Sequence, residues 1–277
     1  MTVSTGMALS GVLVLVGAGK MGGAMLHGWL DRGVAPASLI VVDPSPPSEI
    51  SQTIAAHGIR LNPALDVLDR IEVLILAIKP QNFDDVLAGL AGLKSHRPLV
   101  VSIAAGRTIA GIERHFGEGT AVIRAMPNVP AAVGRGITAM VANPRVSAGQ
   151  LALAQALLEA IGEVVTIGDE ALMDAVTAVS GSGPAYVFHL AECLAEAGVA
   201  AGLPEALATR LARATVSGAG ELMRATGRPA AELREMVTSP KGTTHEALSV
   251  LMAKDGLKPL LAKAVAAAAR RSRELAD

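Results

Sequence analysis

The sequence predicts an α/β fold over residues 1–168 and an all-helical fold over residues 169–277. Three observations carry this. Short apolar runs alternate with helical segments in the first part. A glycine-rich turn joins the first run to the first helix. Strand signals stop after Gly168.

The first run, 12–16, is continuously apolar and ends at Gly17. A second, 39–42, ends at Asp43-Pro44, and a third, 73–78, at Lys79-Pro80; a fourth and a fifth occupy 99–103 and 121–123. Runs this short and uniform fit strands buried on both faces of a parallel sheet. Helical patterns lie between them at 21–32, 49–57, 83–90 and 109–115. Such alternation implies parallel strands joined by crossovers. Runs at 136–141 and 164–167 are candidates to extend the sheet. Beyond Gly168, segments 171–179, 185–201, 204–224, 230–237, 243–252 and 259–275 read as helices, with Pro204 and Pro229 at first-turn positions. These helices are apolar nearly all round, which in so small a domain implies that a partner subunit covers one face.

Composition narrows the function. Of 277 residues, 51% are hydrophobic and 18% charged, enough to fill a core and too apolar for disorder. A net charge of −1 leaves no electrostatic footprint for nucleic acid. The single cysteine, Cys193, excludes an internal disulfide and a cysteine metal cluster; lying in an apolar helix, it reads as a buried, inert thiol. No metal site is expected. Residues 1–10 lack the basic and apolar regions of a signal peptide. The most apolar stretch, 185–203, carries His189, Glu192 and Glu196, so it reads as a helix of a soluble protein rather than a membrane span. A cytoplasmic location follows.

Gly17-Ala18-Gly19-Lys20-Met21-Gly22 sits where a strand passes into a helix. In this pattern the first glycine makes the tight turn, the second lets the backbone approach a pyrophosphate, and the third packs helix on strand. The helix N-terminus supplies N–H donors and a positive dipole end. The first half is therefore a Rossmann-like, doubly wound dinucleotide-binding domain. Its ligand lies beyond the carboxyl ends of the strands, where Ala77, Lys79, Pro80, Ala104 and Asn128 fall. Asp43 ends the second strand. Either it accepts hydrogen bonds from the adenosine ribose, which favours NADH, or it is an Asp-Pro turn residue. Arg60 and Lys79 could still balance a 2′-phosphate from elsewhere.

In the helical half, the loops 180–185 and 237–244 each feed a helix and offer backbone N–H groups suited to a carboxylate. Each also fits plain helix capping. Two in one small domain behind a dinucleotide fold favour a substrate pocket, with Ser182 and Gly242 among the loop residues that would line it.

The pieces GAGKMGGAM (17–25), AIKPQ (77–81), SIAAG (102–106), RAMPNVPAAVGRG (124–136), SGSGPAY (180–186) and LREMVTSPKGTTHEAL (233–248) together resemble the pyrroline-5-carboxylate reductase family. They span nearly the whole chain, and the last is the most specific. The resemblance implies hydride transfer from NADPH or NADH to the C=N carbon of 1-pyrroline-5-carboxylate, giving proline. It implies that Ser239, Thr243 and Thr244 hold the substrate, with Thr244 the catalytic contact beside the ring nitrogen. It also implies a homodimer built on the helical domain, open to further association. No general acid stands out. His245 is one residue past Thr244 on a helix start, so it points elsewhere and reads as a surface or interface residue. Two positions depart from the family pattern. Lys241 stands where most members carry glycine, and Asp43 where members often carry a small or basic residue. The β-hydroxyacid dehydrogenases share the glycine motif, but they place a catalytic Lys and Asn on a helix that here, at 186–201, has neither.

Overall fold

The computed structural model describes residues 9–65, 68 and 70–275, so most of the 1–10 segment read for a signal peptide lies outside the described residues. The elements run β1 (Val12–Val16), α1 (Lys20–Asp31), β2 (Leu39–Val42), α2 (Ser48–Ala56), β3 (Arg60–Leu61), β4 (Ile71–Leu76), α3 (Phe83–Leu90), β5 (Leu99–Ser102), α4 (Ile109–Phe116), β6 (Val122–Met126), β7 (Gly136–Ala142), α5 (Ala148–Leu158) and β8 (Gly162–Thr166). Helices follow: α6 (Met173–Val176), a π turn (Thr177–Gly181), α7 (Gly183–Ala200), α8 (Glu205–Thr226), α9 (Ala230–Met236), α10 (Thr243–Leu251) and α11 (Leu257–Glu274).

The eight strands form one sheet in the order β3-β2-β1-β4-β5-β6-β7-β8. Alternate side chains of each strand serve opposite faces. Leu13 and Leu15 join Met25, Leu26 and Trp29 of α1 and Leu157 of α5 in one core; Val14 and Val16 join Phe83 and Leu87 of α3 and Ile112 and Phe116 of α4 in the other. This two-sided burial is why the strands read as unbroken apolar runs. Trp29 is fully buried, and its indole N–H donates to the Leu157 carbonyl at 2.9 Å, tying α1 to α5.

Four features differ from the sequence reading. Strand β7 is antiparallel to β6. The link between them is a short 3-10 turn, Val129–Val133, and a connection without a crossover returns the chain in the opposite direction. Helix α5 has no counterpart in the reading, because its apolar residues surround it and leave no one-sided period. Its start was visible as Ser147-x-x-Gln150, a capping box in which Ser147 Oγ accepts from Gln150 N at 3.2 Å and Gln150 Oε1 accepts from Ser147 N at 3.0 Å. The segment 180–185 is not an open loop: a π turn runs straight into α7, with Ser180 Oγ bonded to the Val176 carbonyl. Finally, Cys193 is exposed in the chain, not buried, because the apolar surface of α7 has nothing over it.

The chain divides into two compact units. One runs to Gly181 and takes back the chain from Ala269; the other is Ser182–Ala268. The sequence places its division near Gly168. The segment from 169 to 181 stays with the sheet because Glu170 and Ser180 bond into it, and Ser272 Oγ donates to Asp174 at 2.6 Å. Within the second unit α7 packs on α8 through small residues; a side chain at Gly198 would stand 3.2 Å from Ala208 Cβ. Among the described residues, Ala208 and Ala212 are the only buried apolar side chains between 182 and 268.

Candidate active site

Strand ends are level across the sheet. Val16 pairs with Val42 and with Leu76, and Leu76 with Ser102. The residues that follow therefore emerge side by side. Gly17 N donates to the Val42 carbonyl at 2.8 Å, Ala77 N to Val16 at 2.8 Å, and Ile103 N to Leu76 at 3.0 Å. Thus Gly17, Asp43, Ala77 and the segment leading to Ala104 share one edge, as the sequence reading requires.

The three glycines of the motif have separate reasons. Gly17 has φ +89, and a Cβ there would lie 2.5 Å from the Ala77 carbonyl oxygen. A Cβ at Gly22 would fall 2.1 Å from the Gly17 carbonyl oxygen. Both are demanded by the protein itself. Gly19 is different: nothing lies within 4 Å of the Cβ position. Gly19 is also the N-cap of α1, which has no side-chain cap and no acidic residue in its first turn. An open cradle faces an uncapped helix start, so the residues present fit a dinucleotide pyrophosphate. Beside it lies a cavity of about 470 Å³ whose lining includes Lys20, Met21, Glu49 and Val129.

Asp43 is the best-anchored residue here. Its Oδ2 accepts from Ala18 N at 2.6 Å and its Oδ1 from Ser45 N at 2.8 Å. Asn62 brackets its backbone, accepting from Asp43 N at 2.8 Å and donating to the Asp43 carbonyl at 2.7 Å. The sequence reading missed Asn62; its positive φ of 49 and its place just past β3 are what aim it here. Lys79 and Pro80 follow β4, with Lys79 exposed. Arg107 donates to the Pro80 carbonyl at 2.6 Å and to Asp84 at 2.8 Å, and its guanidinium lies over the Phe83 ring, so it ties the Lys79-Pro80 turn to the loop after β5.

Asn128 is buried, and its amide is already engaged. Oδ1 accepts from Ile137 N at 2.9 Å, and Nδ2 donates to the Ser180 carbonyl at 3.1 Å. Arg124, 5% exposed, pairs with Glu170 at 2.8 Å, whose Oε1 also accepts from Ile109 N at 2.9 Å. These side chains hold the end of β6 against the π turn that precedes Ser182.

In the second unit, the residues 237–242 form the turn between α9 and α10. Gly242 is the N-cap of α10 with no side-chain cap, and Gly242 N donates to the Ser239 carbonyl at 3.0 Å. Ser239, Thr243 and His245 are exposed, and Thr244 and Ser182 are half-buried. Lys241 is exposed with φ +59, the left-handed conformation that glycine adopts most easily.

The comparisons place the chain. A family model described as pyrroline-5-carboxylate reductase dimerisation matches residues 170–275, and one described as NADP oxidoreductase coenzyme F420-dependent matches 12–106. A pyrroline-5-carboxylate reductase of Synechocystis sp. is 45% identical over 95% of this chain and 97% of its own. This chain belongs to the pyrroline-5-carboxylate reductase family. The member from Pisum sativum is 38% identical over 95% of each chain. The structure of the Coxiella burnetii reductase superposes with a TM-score of 0.88 at 32% identity, covering 97% of this chain and all of that one. The Plasmodium falciparum structure, solved with NADP bound, gives 0.80 at 28% identity over 97% and 99% of the two chains. Family membership makes this chain an NAD(P)H-dependent oxidoreductase.

Proposed function

We propose that the protein reduces 1-pyrroline-5-carboxylate to L-proline in the cytoplasm, acting as a homodimer or a higher homo-oligomer. The open cradle at Gly19 over the uncapped start of α1 carries this reading, together with the chain-long likeness to the family.

Residues 19–22 hold the pyrophosphate through the backbone N–H groups at the start of α1, while Gly17 and Ala18, whose N–H groups bond Val42 and Asp43, shape the turn beneath it. Asp43 receives the adenosine ribose, and Ala77, Lys79, Pro80 and Ala104 line the crevice along the strand ends. Asn128 serves the same crevice by fixing the turn after β6, since both ends of its amide have partners. When bound, NAD(P)H supplies the hydride that adds to the C=N carbon. Protonated imines accept hydride readily, so this chain's task is chiefly orientation, which can contribute on the order of 7–11 kcal/mol at best. The uncapped N–H groups at the start of α10, with Ser239, Gly242, Thr243 and Ser182, suit the substrate carboxylate. Thr244 Oγ1 accepts a hydrogen bond from the ring N–H, which favours the protonated imine.

The bare second unit supports association. Between 182 and 268, Val187, Phe188, Leu190, Leu194, Leu207 and Leu211 are all exposed in the chain. Steady-state oxidation of NADH and NADPH with 1-pyrroline-5-carboxylate tests the activity, and no turnover by folded protein overturns it. Thr244→Ala should lower kcat/KM about 10- to 100-fold, the equivalent of one hydrogen bond to a charged group.

A further inference from the structure

We infer that Asp43 makes this enzyme select NADH over NADPH, and that it does so because the glycine-rich loop holds its carboxylate in place. The inference rests on the reading above that the loop binds a nicotinamide dinucleotide.

Three observations lead to it. First, the carboxylate is fixed. Ala18 N, the amide between the first two motif glycines, donates to Oδ2 at 2.6 Å, and Ser45 N donates to Oδ1 at 2.8 Å. Asn62 holds the Asp43 backbone from both sides. The phosphate cradle and the carboxylate are thus tied together, and swinging the side chain away from an incoming ribose would break both bonds. Second, the carboxylate keeps acceptor capacity. An ionised carboxylate has about four acceptor positions, and the two backbone bonds take one on each oxygen. The half-buried side chain has room to accept from ribose hydroxyls. A 2′-phosphate at that place would instead set two anions together, a mismatch that costs affinity.

Third, among the described residues no cation is placed to compensate. No Lys or Arg occurs between Asp43 and Arg60. The Arg60 guanidinium bonds the Ala37 carbonyl at 3.4 Å, at the amino end of β2 and away from Asp43. Lys79 follows β4, and β1 lies between β4 and β2, so it emerges two strand spacings away, about 10 Å. Lys20 lines the neighbouring cavity, but Glu49 lines it too.

The test is calorimetric titration of the full-length protein with NADH and with NADPH, backed by kcat/KM for each. Wild type, Asp43→Ser and Asp43→Asn are compared. Wild type should bind NADH at least about tenfold more tightly than NADPH. Both variants should lose at least about tenfold of that ratio, chiefly by gaining NADPH affinity. Asp43→Asn keeps the shape and one acceptor, so the measurement survives if Asp43→Ser disrupts the loop. Equal or tighter NADPH binding by wild type overturns the inference, as does a ratio unchanged in a folded variant; turnover with 1-pyrroline-5-carboxylate would then leave the reductase reading standing. Failure of wild type to bind either dinucleotide overturns both.

Discussion

Single residues of the glycine motif make different demands, and substitution should separate them. Gly22 is required by the fold, since a methyl group there would collide with the Gly17 carbonyl oxygen. Gly22→Ala should therefore cost about 3 kcal/mol or more in chemical denaturation, because backbone must move to admit the methyl. Gly19 is not required by the fold, since its Cβ position is open; on the proposed function, the ligand alone requires it. Gly19→Ala should leave the denaturation midpoint near wild type and weaken dinucleotide binding about tenfold or more, since the methyl would occupy the space left for the pyrophosphate. Equal effects of the two substitutions on folding would contradict this division. Lys241 shows the same logic in reverse. Its left-handed backbone is the one glycine adopts most easily, and its exposed side chain explains how lysine is tolerated.

Among the elements, α3 and α4 are joined by a small charged cluster next to the strand-end crevice. Asp84 of α3 meets His115 of α4 at 3.1 Å and Arg107 at 2.8 Å. The hydrogen bond from His115 is the largest effect and holds its carboxyl below the ordinary value of 3.8; partial burial opposes it, and the charge and hydrogen bond of Arg107 add to the lowering. A carboxyl whose pKa is lowered by folding stabilises the fold above its unfolded value and loses that contribution as pH falls through the folded value. Wild type should therefore be more stable than Asp84→Asn near neutrality, and the difference should shrink as pH drops below 3.8. Denaturation midpoints measured across acid pH check this, and a gap that widens toward acid would refute it. Arg107 links the same cluster to the Pro80 carbonyl, so these helices help hold the turn bearing Lys79.

At the scale of the whole molecule, the two units differ in how they bury apolar surface. The sheet unit encloses two cores of its own, one on each face. Helices α7 and α8 meet through Ala208, Ala212 and Gly198, and leave Phe188 59% exposed and Leu190 51% exposed. Bare apolar surface on this scale marks an interface. Phe188→Asp should convert the oligomer to monomer in sedimentation or light-scattering measurements and lower the thermal midpoint. An unchanged mass would show that this surface of α7 is not the one that associates. Cys193 and His189 lie on the same helix, 3.5 Å apart at their nearest ring nitrogen.

What the sequence by itself determined was the class of the molecule: a doubly wound sheet domain, a helical domain behind it, the dinucleotide turn and the reductase family. These are local or nearly local signals, because apolar period, glycine spacing and short motifs are written in neighbouring residues. The tertiary structure decided matters that depend on residues distant in sequence. The reversal of β7 depends on the short turn before it. Asn128 could be placed beyond a strand end from sequence, yet only its meeting with Ile137 and Ser180 shows that both ends of its amide are engaged. Asp43 stayed divided between turn and ribose in the sequence. The bonds of its carboxylate to Ala18, 25 residues earlier, and of its backbone to Asn62, 19 residues later, fix the turn and the carboxylate together, which is why we propose the ribose role. Folding brings those groups within hydrogen-bond reach, and no period or spacing along the chain records that meeting.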